Sequence, residues 1–303
     1  MRYHIKRHSD RLVQILLSPP MAGFEEFISA WVYRGDITAI VDTGPSVTSG
    51  DLLAALGEIG LTRPDYILLT HIHIDHAGGA GDMAAAFPEA PVVCHDTALP
   101  HLIDPEKLWQ GTIKTLGETG RAYGPITAVP KDRLLDVRDF SAADMIAFPT
   151  PGHAPHHVSF LADDGLLFAG EAGGVSIDLH PTAPYLRPAT PPKFFMETSL
   201  ASIDRLIEAR PQIICYGHTA MKTEAVTWLR RHREQLLRWQ DLIAEEVGAG
   251  EEPGLVGRCA ERLKNTDPLL EGLPFASPAA VRREDFFIQN SIRGFVGYLQ
   301  PRT

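Results

Sequence analysis

Three histidines and one aspartate fall within six residues of this sequence, in the segment His71-Ile72-His73-Ile74-Asp75-His76. Neutral imidazole is the commonest metal ligand that proteins offer, and imidazole mixed with carboxylate suits zinc, iron or manganese better than calcium or magnesium. Thirteen histidines scattered through 303 residues would seldom give such a density by chance. We therefore interpret the segment as part of a metal-binding site.

The sequence on either side places this cluster at the end of a strand. Residues 66–69 form a short apolar run of strand type, and residues 78–87 have a helix-like composition. In an extended backbone, His71 and His73 point to the same side because they are two residues apart. Asp75 and His76 lie where the chain turns toward the helix, so two pairs of ligands can face two adjacent metal positions.

Three later segments carry the same kind of chemistry, each directly after a predicted strand or in a tight loop. They are the segment Pro151-Gly152-His153-Ala154-Pro155-His156-His157, the acid Glu171 and the imidazole of His218. Strand ends of layered α/β proteins are where site residues converge. The pattern therefore predicts that His153, Glu171 and His218 join the first cluster.

Short strand-like runs and helical spacings alternate through the first two thirds of the chain. Helices are predicted over residues 48–59 and 194–209, and residues 181–192, with five prolines, are predicted to form an ordered irregular crossing. In the last quarter of the chain the apolar residues recur at helical spacing. We therefore predict an α/β domain over residues 1–220 and a helical extension over residues 221–303 that packs on it.

The motif HxHxDH, followed by a histidine, an acid and a histidine, resembles the metallo-β-lactamase-fold metallohydrolase superfamily over roughly residues 11–220. The Pro-Gly-His segment with its following histidine resembles the glyoxalase II branch. The resemblance implies a four-layer αββα sandwich with a helical C-terminal extension, and a binuclear centre of two divalent ions, zinc or iron, with manganese as a further option. It also implies that one metal is held by His71, His73 and His153 and the second by Asp75, His76 and His218.

The same resemblance implies roles for three more residues. Glu171 falls where the family has a carboxylate that bridges the two metals, although the family usually has the shorter aspartate there. Asp42, in the turn Asp42-Thr43-Gly44, would hydrogen-bond a ligand histidine from behind. His157 matches a histidine that belongs to the hydrogen-bond network around the metals rather than to their ligands.

Substrate contacts are the part of the site that the sequence defines least. The loop residues Met21 and Phe24 are weak candidates, as are Tyr185 and Arg187 in the proline-rich crossing, and packing explains each of them equally well. Six further histidines stand outside any metal-binding spacing, and we expect them at the surface or in caps. They are His4, His8, His95, His101, His180 and His232.

Composition narrows the classes of partner. With 28 Lys and Arg against 38 Asp and Glu, the net charge of -10 disfavours nucleic acid, whose recognition depends on clustered positive charge. Three widely spaced cysteines without a CxxC pair indicate neither a disulfide framework nor a thiolate zinc site. No run approaches the ~20 apolar residues of a membrane helix. We therefore expect a cytoplasmic protein that acts on a small molecule, without nucleic acid or membrane as partner, and with homodimer formation through the C-terminal helices as an option.

The reaction expected from a binuclear centre is hydrolysis. Two cations lower the pKa of a shared water toward ~7, so that a metal-bound hydroxide can attack the carbonyl of an ester, thioester or lactone. Asp75 would orient this nucleophile and accept its proton. The alternative within the same superfamily is an iron-dependent redox protein, either similar to persulfide dioxygenases or a di-iron oxygen-binding protein.

The ligand assignment predicts different results for two histidine substitutions. His73→Ala should abolish both metal binding and activity, because it removes a direct ligand. His157→Ala should retain most of the metal, because His157 only supports the ligands. Elemental analysis of the purified variants distinguishes these results, and equal metal loss in both would show that the assignment is wrong.

Overall fold

Two β-sheets that pack face to face form the middle of the protein in the computed structural model, which describes residues 2–249 and 254–300. The strands are β1 (Tyr3–Arg7), β2 (Leu12–Leu17), β3 (Ile28–Arg34), β4 (Thr38–Val41), β5 (Tyr66–Leu68), β6 (Val92–Cys94), β7 (Leu134–Asp136), β8 (Met145–Pro149), β9 (Val158–Ala162), β10 (Leu166–Gly170), β11 (Val175–Ser176), β12 (Leu186–Arg187), β13 (Ile213–Tyr216) and β14 (Met221–Thr223).

The first sheet contains β1 to β7 in sequence order, antiparallel as far as β4 and parallel from β4 to β7. The second sheet has the order β14-β13-β10-β9-β8, in which only β10 and β13 run parallel. Strands β11 and β12 form a separate two-stranded ribbon. The described residues thus form one mixed and one largely antiparallel sheet.

Apolar side chains from both sheets interdigitate between them. Trp31 of β3 and Val41 of β4 belong to the same buried cluster as Phe160 of β9 and Phe168 of β10. The rings of Trp31 and Phe168 lie 6.3 Å apart in an edge-on arrangement. The indole of Trp31 also donates a hydrogen bond of 2.9 Å to the carbonyl of Tyr216, so the two sheets are joined by a polar contact as well.

Helices cover the outer faces of both sheets. They are α1 (Ser49–Glu58), α2 (Ile74–Ala77), α3 (Ala80–Ala86), α4 (Leu99–Ile103), α5 (Glu106–Leu116), α6 (Glu118–Tyr123), α7 (Met196–Glu208), α8 (Ala225–Gly248), α9 (Leu255–Thr266) and α10 (Pro278–Leu299). Leu56 of α1 is buried in the same apolar cluster as Ile40 of β4, and Leu206 of α7 in the same cluster as Ile214 of β13. The four-layer αββα arrangement implied by the sequence is therefore confirmed.

The C-terminal helices α8, α9 and α10 pack on one another and on α7. Buried Asp267, which directly follows α9, links this helix to α8, because its carboxylate accepts hydrogen bonds from Trp239 and Gln235, each at 2.7 Å. This helical C-terminal region matches the expectation from the sequence. The boundary proposed after residue 220 falls inside the hairpin of β13 and β14, and the division into a domain over residues 1–220 and an extension over residues 221–303 stays a prediction. Within the described ranges, every helix is too short or too polar to cross a membrane.

Three features differ from the sequence expectations in detail. Strand β1, in a polar and basic stretch, was not expected, and it forms through backbone pairing with β2 at the edge of the sheet. The proline-rich crossing over residues 181–192 is not wholly irregular, because it contains β12. His232 is neither at the surface nor in a cap, since only 3% of its surface is exposed and its ring lies in the core beside Gln235.

The burial of His232 predicts a contribution to the pH dependence of stability. Burial lowers the pKa of His232 to about 4, so the unfolded chain binds a proton more readily than the folded one between pH 4 and 6.5. The free energy of unfolding therefore falls as the pH decreases through this window, by at most about 3 kcal/mol from this group. We expect the free energy of unfolding of His232→Gln to fall less steeply with decreasing pH than that of the parent protein. Urea unfolding of metal-free protein from pH 4 to 7 measures this difference. Parallel curves for the variant and the parent protein would contradict this.

Candidate metal centre

The HxHxDH segment lies where β5 leads into the short helix α2. His73 is the residue preceding α2 and has an extended backbone, while Asp75 and His76 lie in the single turn of the helix. Gly78 follows, and a side chain there would meet the carbonyl of Ile74 and the backbone of Ser46. The turn can therefore pack tightly against residues 45–46, which aims the preceding side chains into the site.

The first group of donor atoms comes from His71, His73, His153 and Glu171, whose candidate ligand atoms all lie within 4.8 Å of one another. The Nε2 atom of His153 is 2.7 Å from Nδ1 of His73 and 2.7 Å from Oε2 of Glu171. His71 is slightly further away, with its Nε2 atom 3.5 Å from the same carboxylate oxygen. Residues from three separate segments thus converge on one point.

The second group comes from Asp75, His76 and His218, with candidate ligand atoms that also lie within 4.8 Å of one another. Oδ2 of Asp75 is 3.7 Å from Nε2 of His76 and 3.9 Å from Nε2 of His218. Both histidines are buried, whereas the side chain of Asp75 is 16% exposed. Asp75 is thus the member of this group that is most accessible to a bound molecule.

Glu171 lies between the two groups and faces both. Its Oε2 atom points toward His153 and His71, and its Oε1 atom lies 3.3 Å from Nε2 of His218. Burial opposes ionisation of this carboxyl, but the charge of His153 and the hydrogen bonds from the surrounding histidines outweigh burial and hold its pKa well below the usual range. A carboxylate in this position has the geometry to bridge two cations.

Four of the five histidines are held through Nδ1, which leaves Nε2 directed into the centre. Thr70 Oγ1 lies 3.0 Å from Nδ1 of His71 and Asp42 Oδ2 lies 3.0 Å from Nδ1 of His76. Backbone carbonyls hold the other two: that of Ala189 is 2.8 Å from Nδ1 of His153, and that of Phe27 is 3.2 Å from Nδ1 of His218. A hydrogen bond to one ring nitrogen fixes the ring orientation and leaves the other nitrogen free to coordinate.

The centre contains buried polar atoms that the protein itself does not satisfy. The Nε2 atoms of His71 and His76 are buried and have no hydrogen-bond partner among the described residues. An unsatisfied buried polar group costs about 1–3 kcal/mol, so two in one place require a compensating ligand. Imidazole and carboxylate donors of this kind fit a transition-metal ion. The residues present therefore fit the metals that the sequence implies.

The histidines differ in their readiness to bind a cation. Burial, followed by the charge of His153, lowers the pKa of His73 to about 4, so this ligand is neutral at physiological pH. Burial also disfavours the charged form of His76, but Asp75 and Asp42 outweigh it and raise its pKa to about 9. Metal binding at His76 must therefore displace a proton, as is usual for sites that bind metals through ionisable groups.

Asp42 supports the centre from behind. It is almost fully buried, adopts a positive φ of 59° and accepts hydrogen bonds from the backbone and the hydroxyl of Thr70 at 2.8 Å each. Its Oδ2 atom also holds His76. One carboxylate thus orients His76 directly and His71 through Thr70. Its location agrees with the supporting role that the sequence resemblance implies.

His157 is fully buried and does not face the donor atoms. Its Nδ1 atom lies 2.8 Å from the hydroxyl of Thr150, and its Nε2 atom accepts a hydrogen bond of 3.1 Å from the backbone N–H of Glu171. His157 thus anchors the backbone of the carboxylate that lies between the two groups. Neighbouring His156 has a buried Nδ1 atom that no described residue hydrogen-bonds, and burial lowers the pKa of His156 to about 3.

The residues considered for substrate binding are buried or partly buried. Phe24 is buried with its ring edge-on to Phe27, and Met21 is partly buried against the apolar core. Tyr185 and Arg187 are buried and both donate to Oε2 of Glu284 at 2.6 Å. This carboxylate gives both side chains a structural role, and their contact with a substrate stays a prediction.

Comparison with known proteins agrees with the fold and the motif. The family model described as "Metallo-beta-lactamase superfamily" matches residues 23–218. The metallo-beta-lactamase fold-containing protein ST1585 of Sulfurisphaera tokodaii is 28% identical over 241 residues, which are 75% of this chain and 87% of that protein. Its crystal structure superposes with a TM-score of 0.63 and 27% identity over 76% of this chain and 87% of that chain.

Two relatives with named activities match shorter regions. A hydroxyacylglutathione hydrolase of Cupriavidus taiwanensis is 27% identical over 154 residues, which are 51% of this chain and 48% of the hydrolase. A coenzyme F420H(2) oxidase of Methanothermobacter marburgensis is 30% identical over 154 residues, which are 48% of this chain but only 34% of the oxidase. Similarity of this chain thus extends to proteins named for hydrolysis and for oxidation.

The arrangement around Asp42 predicts a selective effect on metal affinity. Asp42→Asn leaves all seven donor residues in place but weakens the bonds that orient His71 and His76. We expect metal affinity to fall by about 10- to 100-fold, measured by competition with a fluorescent chelator. The control is Asp267→Asn, which changes a buried carboxylate among the C-terminal helices and should lower thermal stability without weakening metal binding. An equal loss of affinity in both variants would argue against a specific role of Asp42.

Proposed function

Since this chain belongs to the metallo-beta-lactamase superfamily, we propose that it is a metal-dependent hydrolase acting on an ester, thioester or lactone carbonyl. The observation that supports this most directly is the pair of donor groups that face each other across Glu171, with Asp75 at their edge. Such a pair suits two cations at neighbouring positions. Two neighbouring cations are a recurring arrangement in enzymes that activate water.

Seven side chains would hold the two ions. His71, His73 and His153 would bind the first, and Asp75, His76 and His218 the second, with Glu171 between them. We propose zinc or iron, with manganese as a third option, because imidazole and carboxylate ligands together suit these ions. Bound there, the ions would supply an activated water molecule and a Lewis acid for the substrate carbonyl.

The protein's own groups supply orientation and proton transfer. Asp75 lies beside His76 and His218 and remains partly exposed, so it is placed to orient the attacking water and to accept its proton. The hydrogen bonds to Ala189 and Phe27 keep His153 and His218 in fixed orientations during this step. Phe27 also lies against the ring of His218, with the ring centroids 4.4 Å apart, and shields it from solvent.

The choice of an acyl substrate rests on two likenesses. The Pro-Gly-His segment resembles that of glyoxalase II, and one matched relative is named as a hydroxyacylglutathione hydrolase. The match covers about half of each chain and favours a thioester or ester without defining the acyl or thiol part. We propose a small molecule as the substrate and the cytoplasm as the location, in line with the acidic composition and the widely spaced cysteines.

An iron-dependent redox function is the second candidate. The match to a coenzyme F420H(2) oxidase favours it, as does the carboxylate of Glu171 between the two groups of ligands. This chain spans only a third of that oxidase, so the likeness concerns the metal-binding part. His73 occupies the second histidine position of the HxHxDH motif, where the flavo-diiron proteins typically have glutamate. This difference favours hydrolysis over the oxygen chemistry of the flavo-diiron proteins.

Hydrolysis is tested by assaying protein loaded with zinc, iron or manganese against thioesters, lactones and esters. We expect turnover of at least one class, loss of activity on chelation and recovery when metal is restored. Asp75→Asn should lower kcat by about 100-fold or more, because it removes both the proton acceptor and a carboxylate ligand of the second metal. The control Asp178→Asn changes an acid that pairs with Lys222 and should retain full activity.

The redox candidate predicts a different set of results. Iron-loaded protein would consume oxygen in the presence of glutathione persulfide and would hydrolyse none of the acyl compounds. That outcome would replace the hydrolase proposal with the redox one.

A further inference from the structure

Tyr123 carries a hydroxyl group that packing alone does not explain. It ends helix α6 and is completely buried, and its Oη atom has no hydrogen-bond partner among the described residues. A buried hydroxyl without a partner is destabilising, and phenylalanine would fill the same space without that cost. The hydroxyl therefore points to a ligand that the protein alone does not supply.

Tyr123 lies on a helix that neighbours the metal centre. Helix α6 packs directly against α2, the helix that carries Asp75 and His76. Burial and the charges of Asp75 and Glu171 raise the pKa of the Tyr123 hydroxyl, whereas the charge of Arg283 opposes them. Ser46 Oγ donates to the backbone carbonyl of Tyr123 at 3.1 Å and fixes the end of the helix.

Tyr123 is one end of a row of aromatic rings that leads to a ligand histidine. Its ring lies edge-on to Phe24 at 6.1 Å, and Phe24 lies edge-on to Phe27 at 5.3 Å. Phe27 in turn lies against His218 at 4.4 Å. The guanidinium of Arg283 lies over the ring of Phe27 at 3.8 Å, so a cation-π contact holds the end of the row near His218.

We propose that Tyr123 is a catalytic residue whose Oη–H donates a hydrogen bond to the carbonyl or carboxylate oxygen of an acyl compound bound at the metal centre. The substrate class rests on the proposed hydrolase function, whereas the donor role rests on the position of the hydroxyl. Burial, and then the charge of Asp75, raise the pKa of Tyr123 well above its usual value. This direction favours the protonated hydroxyl, which acts as a donor rather than as a base.

Contact of a ligand with the buried hydroxyl of Tyr123 requires the segment that carries Tyr123 to move. Helix α5, which precedes it, has no fully buried side chain and is attached through partly buried residues such as Trp109. Because α5 lacks fully buried side chains, its opening costs less than that of a core helix. Gly117 and Gly124 flank α6 at positive φ values of 57° and 85°, which suit glycine at such joints.

The test is Tyr123→Phe, with Tyr66→Phe as the control. Tyr66 also loses a hydroxyl, but that hydroxyl lies at an exposed position near the carbonyl of Ser141. We expect Tyr123→Phe to keep full metal content and an unchanged or higher melting temperature, because it removes an unsatisfied polar group. Its kcat/KM for the best acyl substrate should fall by about 10- to 100-fold, whereas the control keeps the parent value.

A second measurement does not depend on turnover. Acetate represents the carboxylate product, and its binding to Co²⁺-loaded protein can be followed through the visible absorption of cobalt. We expect acetate to bind about tenfold more weakly to Tyr123→Phe than to the parent protein or to Tyr66→Phe, because one hydrogen bond to a charged group is lost.

The two measurements separate failure of this proposal from failure of the hydrolase proposal. Weaker acetate binding by Tyr123→Phe supports the donor role even if the parent protein hydrolyses none of the acyl compounds, a result that would overturn only the proposed function. Unchanged kcat/KM together with unchanged acetate affinity would overturn the role of Tyr123 and leave hydrolysis standing. Absence of any acetate effect on the cobalt spectrum of the parent protein would also count against Tyr123.

Discussion

The interaction on which the rest of the structure depends is that of the Glu171 carboxylate with the surrounding imidazoles. Its two oxygens lie 2.7 Å from Nε2 of His153 and 3.3 Å from Nε2 of His218, in a region almost closed to solvent. Assembling so many ionisable groups away from water is costly unless each finds a partner. The Nε2 atoms of His71 and His76 are buried and have no hydrogen-bond partner among the described residues, so protein groups alone do not satisfy every polar atom of the centre. The fold is therefore built around a centre that cations would stabilise.

The helical C-terminal region contributes to that centre although it supplies none of the donor atoms. Buried Glu284 on α10 accepts hydrogen bonds from Tyr185 and Arg187, both in the proline-rich crossing, at 2.6 Å each. Ser291 of the same helix donates to the carbonyl of Pro188 at 2.9 Å. This crossing presents the carbonyl of Ala189 to His153. Helix α10 therefore fixes the peptide that orients a metal-facing histidine.

The sequence contained most of the information about donor identity, because those side chains form a dense motif and follow strand ends. It contained much less about the groups that hold them, since the carbonyls of Phe27 and Ala189 belong to residues of unremarkable type. Tyr123 was missed for a similar reason: it lies 47 residues beyond His76 in a segment of mixed composition, and only tertiary packing brings α6 to α2. His232 was misplaced because its burial depends on how α8 packs, which periodicity alone does not define.

Residue 171 is a glutamate where the family usually has the shorter aspartate, and the way in which its backbone is held explains this difference. Its N–H donates to Nε2 of His157, a ring that is itself fixed by Thr150, so the backbone has little freedom to approach the histidines. The preceding Gly170 adopts a φ of 52°, and a side chain there would collide with His157 and Thr70. The close approach of the backbone at Gly170 to these two residues therefore also fixes the backbone position of Glu171. An aspartate would withdraw the carboxylate by about 1.5 Å, enough to lose the simultaneous contacts with His153 and His218. In this chain the longer side chain therefore compensates for a backbone anchored by His157, and the two residues act as one unit.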